Sequence, residues 1–141
     1  MTKVEILNDW FQRIWIAGEI EAIPGFFSAR LQASGVMSGL EMGPEDFSAL
    51  IPAMRAKVRD FSVEIVHAID QGDWLWTLQI IRGRARETGA PLEFTGQLAV
   101  RFEGDKIAEA YNHYDLIAVF EQLGQMPPDT LGLCLMGERL S

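Results

Sequence analysis

The hydrophobic period of this chain changes at Asp60, and no other feature constrains the fold as much. Before Asp60 the apolar residues recur at helical spacing; after it the pattern alternates. Phe61, Val63, Ile65, His67 and Ile69 alternate with Ser62, Glu64, Val66 and Ala68. Asp70-Gln71-Gly72-Asp73 then makes a turn, and Trp74 to Arg86 forms a long strand. Glu87-Thr88-Gly89-Ala90 turns the chain back into Leu92 to Glu103, and Gly104-Asp105 leads into a last strand from Lys106 to Tyr114. Consecutive strands joined by tight turns predict an antiparallel meander.

The segments on either side predict helices. From Val4 to Trp15, Leu7, Trp10, Phe11, Ile14 and Trp15 share one helical face, and Gly18 is the stop. Thr2-Lys3-Val4-Glu5 has the Thr-x-x-Glu pattern of a capping box, which marks a helix start rather than a signal peptide. A short second helix is expected from Glu19 to Phe27, interrupted by Pro24-Gly25. Leu31 to Met42, rich in Gly and Ser, reads as a strand or loop. Gly43-Pro44-Glu45-Asp46 opens a third helix with Pro and acids in its first turn, and Pro52 predicts a kink or a later start. A last helix at 116–123 closes on Gly124, with Pro127-Pro128 beyond it. The tail from Asp129 to Ser141 carries Leu131, Leu133, Leu135 and Met136, which must pack on their own domain or on a neighbour. Helices first and long antiparallel strands after them are an α+β pattern, with helices on one face of a sheet. Strands of this length curl, and a curled sheet closed by helices encloses a pocket.

The length of 141 residues predicts one domain with a real core. With 12 Lys+Arg against 20 Asp+Glu, the net charge of -8 repels nucleic-acid phosphate and anionic membrane, and no basic stripe offsets it. Arg82, Arg84 and Arg86 alternate on one strand, where pairing with neighbouring carboxylates or lining a pocket are the two readings. No apolar run approaches the roughly 20 residues that span a bilayer. The expectation is a cytoplasmic protein without nucleic-acid or membrane partners. The single Cys134, set among Leu131, Leu133, Leu135 and Met136, reads as a small buried hydrophobe.

The chemistry concentrates in the last strand. Strict alternation puts Ile107, Glu109, Tyr111, His113 and Asp115 on one face and Ala108, Ala110, Asn112 and Tyr114 on the other. A carboxylate, an imidazole and a phenol along one face are costly for a strand that buries apolar surface, and tolerable if that face looks into a cavity. Asn112 takes part instead if the strand carries a bulge. His67 lies on an otherwise apolar strand face, where it would meet His113 across the cavity. No spacing such as His-x-x-x-His supports a metal.

Lys106-Ile107, Glu109, Tyr111, Asp115 and Gln122-Leu123-Gly124 resemble the C-terminal motif of the SnoaL-like polyketide cyclase family, within the nuclear-transport-factor-2-like superfamily. Gly72-Asp73-Trp74, the Thr88-Gly89 turn, Asp60-Phe61 and the helix after Gly43 are similar to further family features in the same order. The likeness covers about residues 5 to 128 and leaves 129 to 141 as a tail. It departs from the family at Tyr111, where Trp is usual, and in the short hairpin from Arg84 to Gly89. No His stands where family members with cyclase activity have one; Arg101 lies near that place.

The resemblance implies an α+β fold with a cone-shaped curved sheet around a pocket, no metal and no cofactor. It implies that Asp115 is the acid/base of a cofactor-free reaction on a small apolar oxygenated substrate, since a carboxylate buried in an apolar cone has its pKa raised toward the working range. The helix that follows gives the other reading of Asp115, an N-cap. His113 relays a proton or is a satisfied core histidine. Tyr111 shares the side of Asp115, Arg101 is an oxyanion partner or an exposed strand charge, and Trp74 and Trp76 wall the cavity or a dimer face of the sheet. Three functions follow: a cyclase- or isomerase-type enzyme using Asp115 and His113 with Tyr111, Arg101, His67 and Trp76 around the substrate; a non-catalytic small-molecule-binding domain; or a module that forms a homodimer through the sheet and the tail. Converging titratable groups at the cavity floor favour the enzyme, and Asp115 turned away as a helix cap favours the binder.

Overall fold

The computed structural model describes residues 1–34 and 44–140. Helix α1 (Lys3–Trp10) starts on the expected capping box: Thr2 Oγ1 accepts from the Glu5 amide, and Glu5 accepts from the Thr2 amide, both at 3.1 Å. The same helix continues as a π-helical stretch, Phe11–Ile16. Arg55 reaches across to its end, donating from Nε to Trp15 O and from Nη2 to Ile16 O, both at 3.1 Å. The guanidinium thus satisfies carbonyls that a helix C-terminus leaves unpaired. Gly18 beside it has φ 75°, and a Cβ there would lie 2.3 Å from Arg55 Nη1. The expected second helix is a 3-10 stretch, Ile20–Phe26, with Pro24 inside it. Pro24 lacks the amide that a regular helix would use.

Strand β1 (Phe27–Ser34) follows, covering the first part of the Gly- and Ser-rich segment read as strand or loop. Residues 35–43, including the rest of that segment and the expected helix start at Gly43, lie outside the described residues. Helix α2 (Pro44–Lys57) contains Pro52 and runs directly into β2 (Val58–Gln71). The strand therefore begins before the change of period at Asp60. Asp60 itself has φ 58°, the one positive φ outside glycine among the described residues, at a register shift between Arg59 and Ser62. Strands β3 (Trp74–Ala85), β4 (Pro91–Glu103) and β5 (Lys106–Tyr114) complete the meander, and the turn glycines Gly72, Gly89 and Gly104 all have positive φ. The sheet order is β1-β5-β4-β3-β2, antiparallel except for β1, which pairs parallel with β5. The fold is the expected α+β arrangement of N-terminal helices on a curved five-stranded sheet.

One face of the sheet is buried and holds two apolar clusters. In the first, Leu75, Leu98, Val100, Phe102, Ile107 and Ala110 pack against α1, the 3-10 stretch and the start of α2. Trp10 is its aromatic centre, with ring centroids 5.2–5.6 Å from Phe26, Phe27 and Phe47. In the second, Val58, Ile81, Leu92 and Phe94 pack against Met54 of α2 and Val119 of helix α3 (Leu116–Gln122). Helix α3 ends at Gly124, φ 78°, as its sequence predicts.

The side chain of Gln122, two residues before that glycine, has a structural task of its own. Strand β5 ends at Tyr114, opposite Gly96, so β4 runs on without a neighbour on that side. The Gln122 side chain takes the missing place. Its Oε1 accepts from the Glu93 amide at 2.9 Å, and its Nε2 donates to the Glu93 carbonyl at 2.8 Å. A side-chain amide thereby reproduces one residue of strand pairing.

Beyond α3, helix α4 (Thr130–Leu135) carries the apolar tail. Thr130 is buried, but Leu131, Leu133, Leu135 and Met136 are exposed, so the tail does not pack into its own core. Cys134 is exposed as well, which corrects its reading as a buried hydrophobe. A helix of six residues has too little surface to bury every apolar side chain it carries. Among the described residues, no helix is long and apolar enough to cross a membrane.

Candidate functional site

The two faces of the sheet divide the candidate residues, and a bulge decides how. Arg101 pairs with Glu109, but the next residue, Phe102, pairs with Ile107, which leaves Ala108 as an extra residue in β5. Ile107 and Ala108 are both buried, and alternation resumes one step out of phase. Ala110, Asn112 and Tyr114 consequently share the inner face, while Glu109, Tyr111 and His113 point outward. The expectation that Tyr111 and His113 face the core is corrected on this ground; Tyr111 is 40% exposed, and His113 is exposed. Asn112, opposite the buried Leu98, takes the inner position that a bulge allows.

His67 is displaced in the same way. A register shift between Ile65 and His67 places it opposite Leu78 on the outer face. His67, Leu78, Gln97 and His113 form one cross-strand row there. The two histidines do not meet, since three strand spacings separate them by about 14 Å. In the neighbouring row, Trp76 sits opposite Ala99, and Ala99 opposite Tyr111. Trp76 Nε1 donates to Gln97 Oε1 at 3.2 Å. Trp74 stacks on Tyr111 with centroids 6.3 Å apart and planes at 15°. Both tryptophans therefore lie on the outer face of the sheet.

Arg101 is an outer-face strand charge within a small network. It donates from Nε to Glu109 Oε1 at 2.9 Å and from Nη1 to Glu103 Oε1 at 3.4 Å. The Tyr111 hydroxyl donates to the other Glu109 oxygen. These two donors, Tyr111 first and Arg101 second, hold the Glu109 carboxyl below its ordinary pKa. At the opposite end of the face, Arg82 is held between Glu64 and Glu93, both at 2.8 Å. An open groove of about 450 Å³ lies beside Arg82, Arg84 and Gln122, and its central cation is already neutralised by those carboxylates.

Asp115 is exposed and caps α3, its Oδ1 accepting from the Ala118 amide at 3.1 Å. Its own amide donates to Thr95 O at 3.0 Å, so the residue closes the sheet as it opens the helix.

The polar groups on the inner face are different ones. Thr77 and Gln79 of β3 are 0% exposed. They alternate with Leu75 and Ile81 on the buried parity of that strand, and they oppose Leu98 and Gly96 of β4. Next to those residues on β5 stand Asn112 and Tyr114, both half-buried. Gly96 shapes this patch, because a Cβ there would come within 2.0 Å of the Tyr114 ring. The ring lies across the bare glycine and delivers its hydroxyl to β3. Tyr114 Oη donates to Gln79 Oε1 at 2.8 Å, Gln79 Nε2 donates to Thr77 Oγ1 at 2.9 Å, and Thr77 Oγ1 donates to Leu98 O at 3.4 Å. Burial pushes the Tyr114 phenol well above its ordinary pKa, against a smaller opposing effect of the Gln79 hydrogen bond, so it stays neutral.

Thr77 and Gln79 are not among the residues singled out from the sequence, and strict alternation puts Tyr114 on the face opposite the candidates, with Tyr111 favoured over it. The signal was present: two polar residues on the buried parity of β3, and a glycine inside the strand opposite them. Thr77, Gln79 and Thr130 are the buried polar residues among those described, and none is charged. Nor do the described residues gather three His, Cys, Asp or Glu side chains as a metal would need.

Solved structures share this fold. IdmH of Streptomyces antibioticus is 17% identical with a TM-score of 0.73, over 88% of this chain and 99% of that one. A protein of ketosteroid-isomerase-like fold from Catenulispora acidiphila, solved with trimethylamine, is 24% identical with a TM-score of 0.72, over 91% and 98%. A SnoaL-like polyketide cyclase of Agrobacterium tumefaciens is 15% identical with a TM-score of 0.68, over 88% and 99%. A comparison with curated proteins gave no match. The model of one family, described as SnoaL-like polyketide cyclase, matches residues 5–123, a span that runs from the first helix through Gln122 and Leu123. The chain belongs to the SnoaL-like polyketide cyclase family.

Proposed function

We propose that this protein binds a small, largely apolar, oxygenated molecule on the inner face of its sheet. The observation that carries this reading is the contiguous patch of Thr77, Gln79, Asn112 and Tyr114 between two apolar clusters. Buried polar groups cost free energy in a core that hydrocarbon side chains would fill more cheaply. A ligand pocket has this composition, mostly apolar with a few placed hydrogen-bonding groups. The test is to titrate 2-naphthol and follow backbone amides by NMR. Shifts centred on Thr77, Gln79, Gly96, Leu98 and Tyr114 are expected. Shifts centred on Trp76, Gln97 and His113, or none at all, would remove the inner face as the site.

A second reading adds catalysis: Asp115 exchanges a proton with the bound molecule without a cofactor. Family membership favours it, because the match includes Asp115. The exposed, helix-capping position of Asp115 favours binding alone. With a turned-over substrate in hand, Asp115→Asn should abolish turnover while leaving the fold intact; retained activity would leave the residue as a cap.

The outer face is read as the contact between two copies of the chain. Ile69, Trp74, Trp76 and Tyr111 form an apolar cluster beside Arg101, and Arg101 and, farther along the face, Arg82 are each already paired with carboxylates. Such a face can meet its own copy without burying an unpaired charge.

A further inference from the structure

The hydrogen-bond chain on the inner face has a direction, and the direction limits what can bind. Every donor in it points away from the Tyr114 oxygen: Tyr114 to Gln79, Gln79 to Thr77, Thr77 to the Leu98 carbonyl. Thr77 and Gln79 are fully buried, so they are positioning residues that hold the Tyr114 hydroxyl in place. What Tyr114 still offers is lone-pair density on its phenol oxygen. An anionic oxygen brings only lone pairs and meets that density unfavourably. A carbonyl could be bound only if Tyr114 turned its hydrogen away, leaving the buried Gln79 oxygen without a donor at a cost typical of unsatisfied buried groups. A hydroxyl hydrogen, by contrast, completes the chain without disturbing any bond in it.

We propose that the inner-face patch selects a neutral ligand that donates a hydroxyl hydrogen to the Tyr114 phenol oxygen, an enol or a phenol rather than a carboxylate, a phenolate or an ether. The proposal rests on the inner face being the ligand site, and it names the chemical class that site accepts. Tyr114 is then the specificity-determining residue, with Gln79 and Thr77 behind it. No charged side chain is buried among the described residues, so nothing in the described interior compensates an ionised ligand.

The probe is 4-nitrophenol, which changes from phenol to phenolate near neutral pH, compared with 4-nitroanisole, which has no hydroxyl hydrogen. Binding is measured on the unmodified protein at pH values on either side of the probe's ionisation, with amide shifts reporting the location. The expected result is that the phenol binds about tenfold more tightly than the phenolate or the anisole, the net worth of one hydrogen bond. In Tyr114→Phe the phenol should fall to the affinity of the anisole, whose own affinity changes little. Equal or tighter binding of the phenolate or the anisole at the inner face overturns the proposal and leaves the site standing. It would mean that Gln79 is turned about and Tyr114 donates to the ligand. Binding elsewhere, or none in any form, overturns the site and the proposal together. Should Tyr114→Phe fail to fold, the pH profile of the unmodified protein decides alone.

Discussion

The two faces of the sheet treat their polar side chains in opposite ways. On the outer face Arg101 is neutralised by Glu103 and Glu109, and Arg82 by Glu64 and Glu93, all in reach of water. On the inner face there are no charges among the described residues, and uncharged groups are linked into a directed chain that ends on backbone. Exposed ion pairs contribute little to stability and can be rearranged at small cost. Buried hydrogen bonds contribute modestly when made and cost heavily when broken. The inner face therefore has little tolerance for polar change, and the outer face has a great deal.

The sharpest way to break this comparison is to make one substitution on both faces. Gln79→Glu places a carboxylate at a fully buried position and should lose about 3 kcal/mol or more in urea denaturation. Gln97→Glu, on the neighbouring strand and the exposed side, should change stability by no more than about 0.5 kcal/mol. Similar costs for the two would mean that the faces do not differ as described. Gly96→Ala comes next, at about 1–3 kcal/mol, because its Cβ would overlap the Tyr114 ring. Combining it with Tyr114→Leu should recover part of the loss in a double-mutant cycle; strict additivity would show that the two residues do not share space.

Asp115→Ala should lose about 1 kcal/mol by removing the cap of α3, whereas Asp115→Asn should lose only a small part of that. Trp76→Glu on the outer face is expected to leave unfolding of the single chain nearly unchanged and to shift sedimentation toward monomer. A species of unchanged mass would take the outer face out of self-association. The smallest effect concerns Glu109. Its folded pKa is depressed, so its contribution to stability is present above the unfolded glutamate value and lost as pH falls through the folded one. Tyr111→Phe removes the leading cause and should move the Glu109 carboxyl resonance toward an ordinary titration. An unmoved midpoint would show that Arg101 alone holds it.

Much of the fold was legible because period and punctuation are local. The alternation after Asp60, the glycine turns and the Thr2–Glu5 box each depend on a few adjacent residues, and all appear in the structure. The C-terminal motif also led to the correct family. The site was harder to read because a bulge adds one residue and leaves no mark in composition. The extra residue Ala108 reversed the side on which Tyr111 and His113 lie, and the shift before His67 did the same in β2. Parity carries information only as far as the next bulge. Thr77 and Gln79 escaped notice for another reason: each is an ordinary strand residue alone, and only pairing with Gly96 and Tyr114 across two neighbours makes them a unit.

The Gln122 clamp on Glu93 also bears on how this protein behaves at high concentration. Where β5 stops, β4 would otherwise present a bare amide and carbonyl to solvent, an open invitation for a strand of another molecule to add. A single side-chain amide fills that vacancy from within the same chain. Strand addition is thereby opposed along the stretch of β4 that β5 no longer covers.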